Sequence, residues 1–194
     1  VILIAGLGNP GPRYEATRHN VGFRIVDRWV NRHGSSAWRD KFEGQLASVN
    51  WAARERVVVL KPMTFMNLSG FAVRAALSFF KLDPSELLVV HDELDLPFGD
   101  CRLKLAGGDA GHNGIGSIIE QLGTDSFARL RFGIGRPPSD FVGSTADFVL
   151  QGFPLADQPR LEELIEYGSL VLDQVIENGL SAAMNATNRK KNLI

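Results

Sequence analysis

Apolar positions along this chain follow two rhythms, and together they predict most of its elements. Unbroken apolar runs stand at 1–7 and 87–91, the first stopped by Gly8-Asn9-Pro10-Gly11 and the second by Asp92. Such runs read as strands buried on both faces. Helical spacing appears over 20–32, where Val21, Ile25, Val26, Trp29 and Val30 fall on one side and Arg24, Arg28 and Arg32 on the other; Gly34-Ser35-Ser36 ends it. A second helix is expected from Ser69 to Lys81, with Phe71, Ala72, Ala75, Ala76 and Phe79 apolar. A third covers 113–122 and is closed by Gly123. A long helix covers 155–178 and a shorter one 180–185. Residues 42–51 and 56–60 read as two strands joined by 52–55, residues 102–105 as a short strand entering a glycine-rich loop, and 129–135 as an alternating strand. Residues 148–150 fit neither rhythm.

Buried strands alternating with helices predict an α/β protein with helices on both faces of the sheet, a three-layer α/β/α arrangement. The hairpin-like spacing at 42–60 makes that sheet mixed. The 194 residues suffice for one sizeable core, so one domain is expected over 1–194, with 188–194 a flexible tail. In such sheets chemistry gathers on loops leaving strand ends. The polar stretches 9–19, 63–67 and 107–113 fit that place, and Asp92 stands at a fourth.

Composition narrows the classes. No apolar run approaches the roughly 18 residues of a membrane span, and residues 1–7 lack the basic leader and small-residue cleavage site of a secretory signal. Cys101 is the single cysteine, so no intrachain disulfide and no Cys/His zinc cluster can be drawn, which fits a reducing cytoplasm. A net charge of -1 means that any nucleic-acid contact must rest on a local patch. The stretch 157–177 is acidic; the basic tail 189–191 reads as a solvated end.

Gly6-Leu7-Gly8-Asn9-Pro10-Gly11 literally matches the dinucleotide fingerprint GxGxxG after a strand. That fingerprint works because a helix starts within it and points its N-terminus at pyrophosphate. Here Pro10 and Pro12 interrupt the span, the expected helix begins several residues later, and Asp27 falls inside that helix instead of ending a second strand. The glycines read instead as a tight turn that lets backbone approach a ligand. Phosphate-loop, HExxH and GxSxG patterns are absent, which disfavours a metal or serine hydrolase.

What remains is Asn9, His19, Asn67, Asp92 and Asn113, each in a turn-rich stretch at an element boundary. Imidazole is the side chain matched to taking a proton near neutral pH. By position alone His19 is a cap or surface residue, but a carboxylate ending an apolar strand needs a partner. A carboxylate on one ring nitrogen would leave the other free to accept from water. Asparagine amides can hold a peptide group without adding charge, although Asn113-Gly114 alone reads as a turn. Lys104, Arg129, Arg131 and Arg136 could give the glycine-rich loop positive charge. In an alternating strand Arg129 and Arg131 share a face and could clamp a phosphate.

Taken together, GLGNPGPRYEATRHNVGF (6–23), KPMTFMNLSG (61–70), HDELDLPFGDCRLKLAGGDAGHNG (91–114) and RLRFGIGRP (129–137) resemble the bacterial peptidyl-tRNA hydrolase family, in its order and spacing. The resemblance implies a monomeric α/β domain around a twisted mixed sheet, without metal or cofactor. It makes His19 the base that activates water and Asp92 the group that holds it. Asn9 would distinguish N-blocked from free aminoacyl esters, and Asn67 and Asn113 would grip the peptide backbone and the tRNA 3' end. Tyr14, Phe65 and Met66 would line the same groove, and Lys104 and Arg131 would clamp the 5' phosphate of the acceptor stem. The chain departs from the family at Ala106, Asp109 and Ala110, where relatives are often Gly- or Ser-rich, and at Ser144 or Thr145, where a basic residue is often found. A non-catalytic RNA-binding relative is the rival that this fold allows; retention of both His19 and Asp92 argues against it.

Overall fold

In the computed structural model, which describes residues 2–34, 36–51 and 55–189, the elements run β1 (Leu3–Gly6), α1 (Val21–Arg32), β2 (Arg39–Lys41), β3 (Gly44–Trp51), β4 (Glu55–Pro62), α2 (Ser69–Phe80), β5 (Leu87–Glu93), β6 (Cys101–Leu105), α3 (Asn113–Leu122), β7 (Ala128–Gly133), α4 (Thr145–Val149), α5 (Gln158–Asn178) and α6 (Leu180–Arg189). The strands form one sheet in the order β2-β3-β4-β1-β5-β7-β6. Its centre, β4-β1-β5-β7, is parallel, and the pairs at both edges are antiparallel. The expected mixed sheet is therefore present.

Alternation along the strands divides the core in two. Ile4, Leu88, Val90, Leu130 and Phe132 point to one face, where α1, α5 and α6 cover them. Leu3, Ala5, Leu87 and Val89 point to the other, under α2 and α3. Because successive strand residues face opposite sides, an unbroken apolar run supplies both cores at once. This is the three-layer arrangement that the sequence predicts. Among the described residues no helix is long and apolar enough to cross a membrane.

Several boundaries differ. The stretch expected as one strand over 42–51 is split: Phe42 and Glu43 adopt left-handed backbone (φ 58° and 53°) and turn the chain between β2 and β3. Most of the expected connection, residues 52–54, lies outside the described residues. Residues 148–150 resolve as the end of α4 and its C-cap. Ser69 is the first residue of α2 and not its cap; its hydroxyl donates to the Met66 carbonyl at 2.8 Å. The helix expected over 180–185 continues to Arg189, and the Asn188 side chain joins β6 by accepting from Leu103 N and donating to Leu103 O, each at 2.9 Å. Of the expected tail, 188 and 189 thus belong to α6, and 190–194 lie outside the described residues. Cys101 is buried, and burial pushes its thiol up to about 12, so it is a packing residue.

The acidic stretch 157–177 has a local explanation. Glu162 and Glu166 on α5 receive Arg24, Arg28 and Arg32 of α1 at 2.5–3.0 Å, and Asp173 accepts from Trp29 Nε1 at 2.7 Å and Arg32 at 2.6 Å. The polar face of α1 is therefore spent on a neighbouring helix.

Two glycines of the false fingerprint, Gly6 and Gly8, serve close packing. A Cβ on Gly6 would stand 2.6 Å from Val26, and one on Gly8 would stand 2.7 Å from the Phe23 ring. These two admit α1 against β1, which corrects for them the reading of a turn opened toward a ligand, whereas Gly11, at φ 100° with open space around it, stands in a turn. Gly22 is the tightest of these α1 contacts: its Cβ would meet Val90 O at 2.4 Å and Leu7 N and O at 2.7 Å, all backbone atoms that cannot yield. Since α1 begins two residues after His19, this contact sets the height of that histidine over the sheet. Gly22→Ala is expected to cost about 1–3 kcal/mol, read as a lower urea midpoint at unchanged slope. An unchanged midpoint would contradict the close packing.

Candidate active site

The C-terminal ends of β1, β4 and β5 meet the N-terminal ends of α1, α2 and α3 on one rim of the sheet. There an open cavity of about 480 Å³ is lined by Asn9, Tyr14, His19, Phe65, Met66, Asn67, Asp92 and Asn113, with Leu94 and α4 residues Val149 and Leu150 along its edge. All five candidates from the turn-rich stretches are thus brought together, and so are the three groove residues.

At the floor, 73 positions apart in the chain, His19 and Asp92 pair: His19 Nδ1 lies 3.0 Å from each carboxylate oxygen. Both side chains are buried. The carboxylate has a second partner, because His112 Nε2 lies 2.8 Å from Asp92 Oδ1. His112 Nδ1 in turn accepts the backbone N–H groups of Gly114 and Ile115 at 3.1 and 3.3 Å, capping α3. An acceptor at Nδ1 places that ring's proton on Nε2, so His112 donates to Asp92. His19 likewise donates from Nδ1, which leaves its Nε2 as an acceptor. Burial by itself would push the Asp92 carboxyl up; the charges of His19 and His112 and their hydrogen bonds outweigh it and hold the group well below the usual carboxylate range. The ligand atoms of these three residues lie within 4.8 Å of one another, the spacing of a metal-ligating set; the 2.8–3.0 Å contacts are those of N–H···O hydrogen bonds.

Asn9 is oriented by its surroundings. Its Oδ1 accepts from Met66 N at 2.8 Å, and the Asn20 side chain holds its backbone by accepting from Asn9 N and donating to Asn9 O, each at 2.9 Å. The Met66 N–H fixes which end of the amide is oxygen, so the donor end, Nδ2, is the one left without a partner among the described residues. Asn67 and Asn113 are exposed in the cavity, and neither side chain has a hydrogen-bond partner among the described residues.

The proposed anion contacts separate. Arg129 is buried and donates to the carbonyls of Gly107, Gly108 and Asp125, so it holds the glycine-rich loop in place. Arg136 is paired with Asp95. This removes both from the set of free cations. Lys104 and Arg131 are half-buried, stand on adjacent strands β6 and β7 with their Cα partners offset by two residues, and carry no ion pair among the described residues. Neither lines the cavity. Asp109 Oδ1 accepts from Gly111 N at 2.9 Å, a turn within the loop. Ser144 caps α4 in a reciprocal box with Asp147, so it shapes the cavity edge.

Two partners were not legible as such. His112 stands in the sequence only as part of a glycine-rich loop; its signal is a histidine immediately before an expected helix. Asn20 has no local signal, because its task is to hold a loop eleven residues away.

Beneath them His91 is fully enclosed. Its Nδ1 donates to Asp92 O at 2.7 Å, its ring packs edge-on to His112 at 4.8 Å, and burial followed by the charges of His112 and Arg129 pushes it down to about 3. The fold therefore holds this ring neutral where an unfolded chain would charge it. Its contribution to stability is complete above pH 6.5 and is lost as pH falls toward 3, because the unfolded state binds the extra proton. Unfolding free energy should fall between pH 6 and 4 because of this group, by on the order of 1 kcal/mol per pH unit, and His91→Asn should flatten that slope. An equal slope in the variant would assign the acid sensitivity elsewhere.

The protein is an α/β enzyme whose open, amide-lined cleft has a buried carboxylate hydrogen-bonded to a histidine at its floor. Comparisons give the class its family. The family model described as peptidyl-tRNA hydrolase matches residues 3–193. A peptidyl-tRNA hydrolase of Sorangium cellulosum is 47% identical over 190 residues, 98% of this chain and 85% of its own length. One of Geobacter sp. strain M21 is 46% identical over 188 residues, 97% of this chain and 98% of its own. The crystal structure of peptidyl-tRNA hydrolase from Acinetobacter baumannii superposes with a TM-score of 0.90 at 36% identity, covering 98% of this chain and 96% of that one. The chain belongs to the peptidyl-tRNA hydrolase family.

Proposed function

We propose that this protein hydrolyses the ester that joins a peptide to the 3' end of tRNA, releasing free peptide and reusable tRNA, with His19 as the base. The observation that carries this reading is the buried Asp92 carboxylate held between two imidazoles, one of which keeps an acceptor nitrogen at the cleft. Water on His19 Nε2 attacks the ester carbonyl. His19 takes its proton, Asp92 stabilises the imidazolium that results, and amide donors steady the oxyanion. The 3' hydroxyl leaves, and no covalent enzyme intermediate forms.

Selectivity follows from Asn9. Its acceptor oxygen is taken by Met66 N–H, so it offers substrate only donors. A peptide carbonyl next to the scissile ester accepts such a donor; the ammonium of a free aminoacyl ester has only donors of its own and would be left unsatisfied. Asn67 and Asn113 grip the peptide backbone and the terminal nucleotide, and Tyr14, Phe65 and Met66 wall the groove. Lys104 and Arg131, which carry no ion pair among the described residues, take the 5' phosphate of the acceptor stem; Asp109 weakens that contact. The protein acts as a monomer in the cytoplasm, where such substrates arise.

The test is hydrolysis of N-acetyl-aminoacyl-tRNA beside free aminoacyl-tRNA. A preference of about 10²-fold or more for the blocked ester is expected. Equal rates would remove Asn9 from its role, and no cleavage of either would remove the hydrolytic reading.

A further inference from the structure

The cavity does not end the apolar surface on this side of the molecule. Phe65, 56% exposed at the cavity rim, opens a line continued by Leu68 (42%), Phe71 (49%) and Phe79 (57%), with exposed Ala75 between the last two. Positions 68, 71, 75 and 79 have the three-and-four spacing of a single helix face. The opposite face of α2, with Ala72, Val73, Ala76 and Leu77, is buried in the core under the sheet. On one flank α3 packs at Gly70 and Arg74, through Gly70 N to Ser117 Oγ at 2.9 Å and Arg74 to Gln121 at 3.2 Å, and leaves the stripe bare. At the far end Phe79 meets Phe42 at 5.2 Å between ring centres, and Lys41 Nζ stands 3.5 Å over the Phe79 ring. The stripe therefore runs from the mouth of the cleft to the turn between β2 and β3.

We propose that this stripe is a track for the upstream residues of the substrate's peptide, an extended apolar segment that leaves the cleft past Phe65. The proposal rests on the peptidyl-tRNA reading and names the part of the substrate that lies outside the cleft. Continuity with the cleft is the first argument: Phe65 belongs to both surfaces. Shape is the second. A twelve-residue helix is about 18 Å long, which matches about five or six residues of extended chain. One row of side chains falls far short of the roughly 800 Å² per partner of a stable dimer, so a narrow strand of peptide fits it better than a second copy. Chemistry is the third. Between Phe65 and Phe79 the exposed hydrogen-bonding side chains are Asn67, which lines the cavity, and Arg74 and Ser78 at the margin, so the row from Leu68 to Phe79 rewards apolar area and not a particular sequence. An enzyme that must accept peptides of any sequence would be served by such a surface.

The test compares three substrates: tRNA carrying an N-acetylated amino acid, an eight-residue Gly/Ser peptide, and an eight-residue Leu/Val-rich peptide. For the unmodified protein KM should be about tenfold lower for the Leu/Val peptide than for the Gly/Ser one. Phe71→Ser combined with Phe79→Ser should bring the two within twofold and leave turnover of the N-acetyl substrate unchanged; the single Phe71→Ser should fall between. A preference that survives the double substitution, or no preference in the unmodified protein, would overturn the track. So would a dimer seen by sedimentation that the double variant dissociates, since the stripe would then belong to a second copy. Failure to cleave even the N-acetyl substrate would instead defeat the hydrolase reading, and the track with it.

Discussion

Replacing His19 by alanine is expected to lower kcat/KM for N-acetyl-aminoacyl-tRNA by about 10²–10⁴-fold, the range of a positioned general base. The loss should fall on kcat, because the ring's free nitrogen faces the attacking water and not the bound peptide. The fold should survive. Asp92 keeps the Nε2–H of His112 at 2.8 Å, so the substitution does not strand a buried charge. Single-turnover kinetics with the urea midpoint measured in parallel separate the two effects. A variant of normal stability that turned over at the original rate would remove His19 from the chemistry.

Asp92→Asn tests the other half of the pair and has a more specific signature. Both histidines donate to the carboxylate, and an asparagine has only one oxygen to receive them. His112 cannot change its tautomer, because its Nδ1 is already accepting from Gly114 and Ile115. The amide oxygen therefore goes to His112, and the amide NH₂ faces His19 Nδ1. That contact favours a bare Nδ1 and moves the His19 proton to Nε2, where it blocks acceptance from water. A loss of about 10–10²-fold in kcat, less severe than that of His19→Ala, is expected with little change in KM. Nitrogen chemical shifts of the His19 ring should show protonation at Nε2 in place of Nδ1. An unchanged tautomer with an unchanged rate would break the coupling between the two residues.

These two expectations depend on contacts that no local pattern encodes, and the contrast with what was local is instructive. The strands β1 and β5 were legible because an apolar run between turn formers has few other places to go, and α1, α3 and α5 were legible because 3.6-residue spacing buries one face. The C-terminal limit of α3 was readable from cap chemistry alone, because Gly123 takes the left-handed backbone that closes a helix. The edge strand β2 was not: Arg39, Asp40 and Lys41 are all exposed, so burial left no mark on them. The same reason hid the true end of α6, whose last residues are held by Asn188 against β6 and not by an apolar face.

For the site, residue type at element boundaries pointed to His19, Asp92 and the three asparagines, because a polar group at the end of a buried strand or the start of a helix is there either to turn the chain or to meet something. Sequence alone could not say which. Arg129 and Arg131 looked equivalent two positions apart on one strand, yet the path of the loop at 107 and 108 puts two carbonyls on the first, with Asp125 O as a third, and none on the second among the described residues. His112 looked like a loop residue, yet the approach of α3 to β5 makes it the second donor on Asp92. Short-range spacing thus decided most of the elements and their faces, since burial has a period that a chain carries along its length, while the motifs at 6–23, 61–70, 91–114 and 129–137 carried the resemblance to the family. Only the folded arrangement decided tautomers, spare donors and free charges, since each depends on which partner from a distant segment reaches a given atom first.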